Sequence, residues 1–251
     1  MARKSKRHSK KSRTSKLLMF EFQKHHLKVI WNNVLIFNLF RKLHGRFWGI
    51  ASIAIFIVGF TICFLIRPDM IQSSTALSDF GNDVRTAPYF AGTLFFASYG
   101  LWRWRNYLLR TLKRSRLMLT LLLLTIVGLY IVALMPLSWK PWPYYIHLFG
   151  MTLVGVSAAA TVVFDVLLSK TRKGQSANNT RIIKLIAFML ILSGGWITVA
   201  SLPMTQWMHI SLVGEAMMFI GYSIWIIIKT YQGEEPQSAF SRLLNKIIFV
   251  D

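Results

Sequence analysis

The stretch LMLTLLLLTIVGLYIVALMPLSWKPWPYYIHLFGMTLVGVSAAATVVFDVLLS, Leu117 to Ser169, holds two long apolar runs and only two charged residues, Lys140 and Asp165. Each run matches the roughly 20 residues a helix needs to cross a hydrocarbon core about 30 Å thick. Between them, Ser138 to Trp142 is too short for anything but a tight turn, so the runs are expected to be antiparallel neighbours. Four more runs flank this pair: Phe47 to Ile66, Tyr89 to Trp104, Ile182 to Leu202 and Gln206 to Ile228. The last two are joined by Pro203 to Thr205, another tight turn. The spacing predicts an all-α, polytopic membrane bundle of six transmembrane helices.

Composition supports that class. The chain combines 54% hydrophobic residues with a net charge of +21, which is too apolar for an ordinary soluble nucleic-acid binder, so grease and charge must be segregated along it. The segregation is alternate. Lys and Arg number 13 before the first run, 6 from Arg103 at the end of the second to Arg116, 5 from Lys170 to Lys184 at the start of the fifth, and 3 at the C-terminus, against 2, 1 and none in the other segments. By the positive-inside rule the chain is a multi-pass protein of the cell membrane with both termini cytoplasmic. Trp139, Trp142, Tyr144, Tyr145 and Trp207 fall near the outer boundary, and Trp48, Trp102, Trp104 and Trp225 near the inner one, as aromatic belts do. The Tyr89 run is the weakest because it reaches Arg103 and Arg105, which are expected to snorkel toward headgroups. Cys63 is the single cysteine and permits no intrachain disulfide. No small-residue cleavage site follows the first run, which is read as an uncleaved anchor.

Around the six-helix domain, residues 47–229, the ends divide into three pieces. Residues 1–16, MARKSKRHSKKSRTSK, carry nine basic residues, His8 included, and no carboxylate. Such a tail is expected to be disordered and drawn to anionic lipid headgroups; with no aromatic interleaving it offers nothing for specific nucleic-acid binding. Residues 17–46 are apolar but interrupted by Lys24, His25, His26, Lys28, Asn32, Asn33 and Asn38, and read as an amphipathic interfacial helix. Residues 230–251 hold a second one, with Ser238 as its cap and Phe240, Leu243, Leu244 and Ile247 at helical spacing.

Chemistry has few places to reside. The loop RPDMIQSSTALSDFGNDVRTAP, Arg67 to Pro88, contains Asp69, Asp79 and Asp83. Its SDFGND segment reads as an ordered turn in which Ser78 caps locally, Gly81 permits a positive φ, and Asn82 and Asp83 bond the backbone. It lacks the alternating oxygen ligands of a calcium loop. This turn, Pro88-Tyr89-Phe90 after it, and GLYIVALMPLSWKPWPYYIHLFG (128–150) resemble the bacterial and archaeal membrane family known as domain of unknown function 998, related to the DRAM and Sfk type of membrane proteins. The resemblance covers roughly Phe47 to Ile228. It implies six helices with cytoplasmic ends and no settled reaction, and leaves the basic tail outside the common core.

Two acids lie inside the later runs. Asp165 is about a turn from Ser169 and Lys170, so an interfacial position beside Lys170 is expected. Glu215 lies nine residues past Gln206, about 13 Å deep at about 1.5 Å per residue. A charged acid there costs a few kcal/mol and must face the bundle, paired, hydrogen-bonded or protonated. Tyr130, His147, Ser193 and Ser211 are its candidate partners, and Gly214 and Gly221 allow close approach of another helix. Ser157 to Thr161, SAAAT, reads as a helix contact surface.

Three functions compete. The first is a noncatalytic protein acting through lipids, a membrane-protein partner or a second copy of itself, with no cofactor. The second is a small-solute or proton-coupled transporter using Glu215. The third is an outer-face zinc hydrolase, whose catalytic candidates are Asp79, His147, His209 and Glu215 and whose metal ligands would be Ser78, Asp79, His147 and His209. The hydrolase lacks a paired His motif at i, i+4, and His147 and His209 read more simply as interfacial side chains. The sequence therefore favours the first reading, a non-enzyme.

Overall fold

The computed structural model describes residues 43–70, 76–112, 116–135, 141–168, 175–201 and 208–231. Those from Gly45 onward belong to one compact unit. The described residues form helices without strands: α1 (Trp48–Ile66), α2 (Ala87–Thr111), α3 (Arg116–Leu134), α4 (Trp142–Leu168), α5 (Gln175–Ser201) and α6 (Met208–Tyr231), with short 3₁₀ helices at Gly45–Phe47 and Leu77–Gly81. Both expected interfacial helices, the basic tail and Lys170 lie outside the described residues.

Five of the helices, all except α2, are long and apolar enough to cross a membrane. They remain apolar on their outward faces, where Ile57, Leu65, Val156, Met189, Trp196 and Val213 are exposed. That much uncovered apolar surface suits lipid and not water. α2 has the length, at 25 residues, but Arg103, Arg105, Asn106 and Arg110 dilute it. It also runs further than the apolar pattern predicts, to Thr111, because Arg and Leu are good helix formers and charge alone does not end a helix.

Sequence neighbours pack most closely: α1 with α2, α3 with α4, and α5 with α6, while α6 also returns to α1. Glycine sets the α5 and α6 contact. A Cβ on Gly214 would lie 2.6 Å from the Gly194 carbonyl, and one on Gly221 would lie 2.6 Å from the Ala187 carbonyl. The two backbones therefore touch, as expected for small residues between helices in lipid. Hydroxyls inside the helices largely satisfy themselves. Ser52, Thr93, Ser98, Thr161, Ser193 and Thr198 each donate to the carbonyl four residues earlier, which hides their polarity from an apolar surrounding.

Arg103 and Arg105 of α2 turn to neighbouring helices. Arg105 Nε donates to the Leu119 carbonyl of α3 at 2.7 Å, and the Arg103 guanidinium lies 5.6 Å from the centre of the Trp48 ring. Both tie α2 to neighbouring helices, the second as a cation–π contact.

A half-buried acid beneath a folded loop

The loop between α1 and α2 folds back onto the bundle. Phe80, fully buried, packs edge-on against Phe64 at 4.8 Å between centroids and lies near Phe60, within a core that also holds Cys63 and Phe90. Thr86 Oγ1 donates to the Phe80 carbonyl at 2.7 Å and closes the turn. Arg67 holds both ends of the loop by pairing with Asp69 at 2.6 Å and with Asp83. The Arg67 guanidinium beside it keeps the Asp69 carboxyl below the usual carboxylate range. This link is complete at neutral pH and is lost only as pH falls through that lowered value.

SDFGND is indeed an ordered turn, with two departures from expectation. Its 3₁₀ helix starts after Ala76, so Ser78 is not the cap but a buried residue within it. Gly81 does not adopt a positive φ; it is small because a Cβ would stand 3.0 Å from the Phe90 ring. The Asp83 carboxylate does bond the backbone, accepting from the Arg85 N–H at 2.8 Å.

The folded loop brings its backbone to Glu215. The Leu77 N–H donates to Glu215 Oε2 at 2.7 Å. Among the described residues, none of Tyr130, His147, Ser193 or Ser211 hydrogen-bonds this carboxylate. Ser193 returns its hydroxyl to Met189, and Tyr130 packs edge-on against Phe95. Asp79, whose Oδ2 accepts from the Ala76 N–H at 3.1 Å, acts electrostatically on both Glu215 and His147. Of the four catalytic candidates, Asp79 thus lies within electrostatic reach of both Glu215 and His147. The side chain of the fourth, His209, lies outside the described residues.

His147 is not interfacial. It is 1% exposed, and its Nδ1–H donates to the Met135 carbonyl at 2.5 Å. That bond fixes the tautomer and leaves Nε2 an acceptor, buried without a hydrogen-bond partner among the described residues. The same residues contain no group of three or more His, Cys, Asp or Glu able to hold a metal ion.

At the opposite end of the bundle lies a cluster that the sequence reading misplaced. Asp165 is 6% exposed, and its partners come from α5 and α6. Lys229 Nζ donates to Oδ1 at 2.6 Å; Lys184 Nζ lies 2.9 Å from Oδ2, and the Trp225 indole N–H donates to Oδ2 at 3.0 Å. Lys184 and Lys229 are themselves almost fully buried. Trp225 continues the tie to α2 by packing on Trp104 at 5.7 Å, and Arg46 Nε donates to the Thr230 carbonyl at 2.6 Å. The available signal was that Lys184 lies inside an apolar run and Lys229 directly follows one.

Between the two ends sits a smaller polar contact. Thr125 of α3 and Ser157 of α4 share a buried hydroxyl hydrogen bond at 2.8 Å. The Tyr222 hydroxyl of α6 lies beside Thr125 without completing a hydrogen bond of good geometry. SAAAT is thus a helix contact surface, as expected, but one with a polar centre. No family profile, curated protein or solved structure matches this chain.

Proposed function

We propose that this protein is a six-crossing carrier of the cell membrane in which Glu215 is the ion-binding acid and the Leu77–Gly81 segment is the gate that covers it. The observation that carries the reading is the 2.7 Å bond from the Leu77 N–H to a carboxylate inside the bundle. A carboxylate held there by one backbone N–H, within electrostatic reach of the Asp79 carboxylate and, among the described residues, without a cationic side chain on it, is equipped to bind and release a cation. Purely structural acids in membranes are paired with cations, as Asp165 is.

In this reading α2 is the sixth crossing, and the end bearing Lys184 and Lys229 faces the cytoplasm, which places the Glu215 loop outside. The basic N-terminus holds anionic headgroups and adds attachment to the carrier without replacing it. The likeness to domain of unknown function 998 is consistent with this crossing number.

The test is a pH jump applied to proteoliposomes adsorbed on a solid-supported electrode. The protein is expected to give a transient displacement current as Glu215 changes charge, and Glu215→Gln is expected to abolish it. A current of equal size in the variant removes Glu215 from the mechanism.

A further inference from the structure

Glu215 stands at the start of a run of phenylalanine rings. Phe219 lies one turn further along α6, on the same face, and its ring centroid is 5.3 Å from that of Phe56 on α1. Phe56 stacks on Phe60 at 5.9 Å, and Phe60 continues to Phe80 of the loop at 6.5 Å and to Phe90 of α2 at 6.0 Å. Leu77, whose N–H bonds the Glu215 carboxylate, packs against this same cluster. Acid and rings are therefore joined twice, through the loop and across the seam between α1 and α6. Phe56, Phe60, Leu77, Glu215 and Phe219 are all half-buried, so the seam is partly accessible from outside the bundle.

Core packing explains the rings but not the carboxylate beside them. The face of an aromatic ring carries the negative end of its quadrupole, which repels an anion and attracts a cation. A metal ion does not suit this set, since it needs several polar ligands, and among the described residues no group of three or more His, Cys, Asp or Glu is placed to hold one. An organic ammonium ion does suit it, because its charge pairs with one carboxylate while its methyl or methylene groups lie on the rings. The closed loop already supplies both halves of such a ligand. The Leu77 N–H occupies the acid, and the Phe80 ring, fully buried, occupies the aromatic cluster. The space that the ligand takes is thus the space that the loop vacates.

We propose that the ion carried is an organic ammonium, bound with its nitrogen at Glu215 and its apolar groups on Phe56, Phe60 and Phe219. The inference rests on the carrier reading and names the class of its substrate. The cation enters at the seam between α1 and α6, takes the place of the Leu77 N–H on the carboxylate, and displaces Leu77 and Phe80 from the rings. Asp79, within electrostatic reach of Glu215, adds negative potential at the same place. No covalent bond is made or broken, and the loop returns when the ion leaves.

The experiment measures equilibrium binding of radiolabelled benzyltrimethylammonium to the purified full chain in detergent micelles. Saturable binding is expected, undiminished by the uncharged carbon isostere neopentylbenzene. Glu215→Gln should weaken it by about tenfold or more. Phe219→Leu and Phe56→Leu, which keep an apolar side chain but no ring, should each weaken it by about fivefold, while Phe219→Tyr keeps the ring and should bind as the parent does. Phe95→Leu is the control and should bind unchanged, because that ring lies on the exposed side of α2 against Tyr130. Thermal midpoints within a few degrees of the parent would exclude a folding defect in each variant. Absence of saturable binding to the parent, displacement by neopentylbenzene, full binding in both leucine variants, or an equal loss in the control overturns the ammonium site. Any of these results with the Glu215 displacement current still present leaves the carrier reading standing. Loss of that current from the parent overturns the carrier reading itself, so the two failures are distinguishable.

Discussion

Asp165 and Glu215 are both carboxylates inside a bundle, yet their surroundings give them opposite behaviour under substitution. Asp165 has two ammonium groups and an indole N–H within 3.0 Å. Removing its charge leaves two buried lysines facing one another, whereas removing one lysine leaves the carboxylate with the other. Asp165→Asn is therefore expected to cost about 3–5 kcal/mol, the range for an uncompensated buried charge. Lys229→Met should cost about 2 kcal/mol, near the value of one hydrogen bond to a charged group. Unfolding in mixed detergent micelles checks the order, and equal losses would mean that the two lysines do not share the acid. At Glu215 the contact is a single acceptor. Glu215→Gln keeps an oxygen for the Leu77 N–H and should change stability by less than about 1 kcal/mol, while Glu215→Leu strands a buried donor at about 1–3 kcal/mol. A Gln variant that unfolds as readily as the Leu variant would contradict that geometry. That Glu215 turns into the bundle was legible in the sequence, because an acid inside an apolar run must find a partner. Its partner was not, because a backbone N–H of a distant loop carries no residue-type signature. Asp165 failed for a related reason: the nearest lysine in sequence was preferred to Lys184 and Lys229, which only the folded bundle brings near.

Among the elements, the helices were readable wherever apolar residues ran without interruption, so α1, α3 and α4 begin and end within a few residues of their runs. α5 and α2 extend further, into QSANNTR and RNYLLRT respectively, because polar residues can continue a helix that an apolar run does not mark. The fold of the loop was legible only as a turn. What it packs against depends on Phe60, Phe64 and Phe90, whose roles emerge once α1 and α2 are side by side. Two substitutions probe this scale. Gly221→Leu puts a side chain where a Cβ already comes within 2.6 Å of a carbonyl, so α5 and α6 must separate, at about 1–3 kcal/mol or more. Destabilisation below about 0.5 kcal/mol would show that the helices are not in backbone contact. Arg67→Met releases both Asp69 and Asp83, yet because these groups are partly in water the loss of stability should be small. Its clearer signature is faster proteolysis within the loop, and an unchanged cleavage rate would show that the arginine does not hold it closed.

For the molecule as a whole, the +21 charge, the apolar outward faces and the two buried ionic sites support one arrangement. The apolar faces require lipid around the helices, and charge sorting then chooses which end lies inside. Along α6, Glu215 and Lys229 are separated by about 21 Å of helix rise, so the acid beneath the loop and the lysine-bound acid lie toward opposite faces of a bilayer. Orientation therefore decides more than topology: it decides which site sees the outside first. Native chemistry makes that measurable, because Cys63 is the single cysteine and is fully buried, which leaves a low labelling background. Cysteines placed at Ser74, in the loop segment, and at Ser176, before the α5 run, should differ in reactivity toward an impermeant maleimide on intact cells. Ser74→Cys is expected to label from outside, and Ser176→Cys only after the membrane is opened. The positive-inside bias rests on 13 Lys and Arg before the first helix and 6 between Arg103 and Arg116, so a mixed population is not expected. Reversed labelling would place the Glu215 loop in the cytoplasm and turn the proposed carrier around in the membrane, while leaving both acid sites where they are.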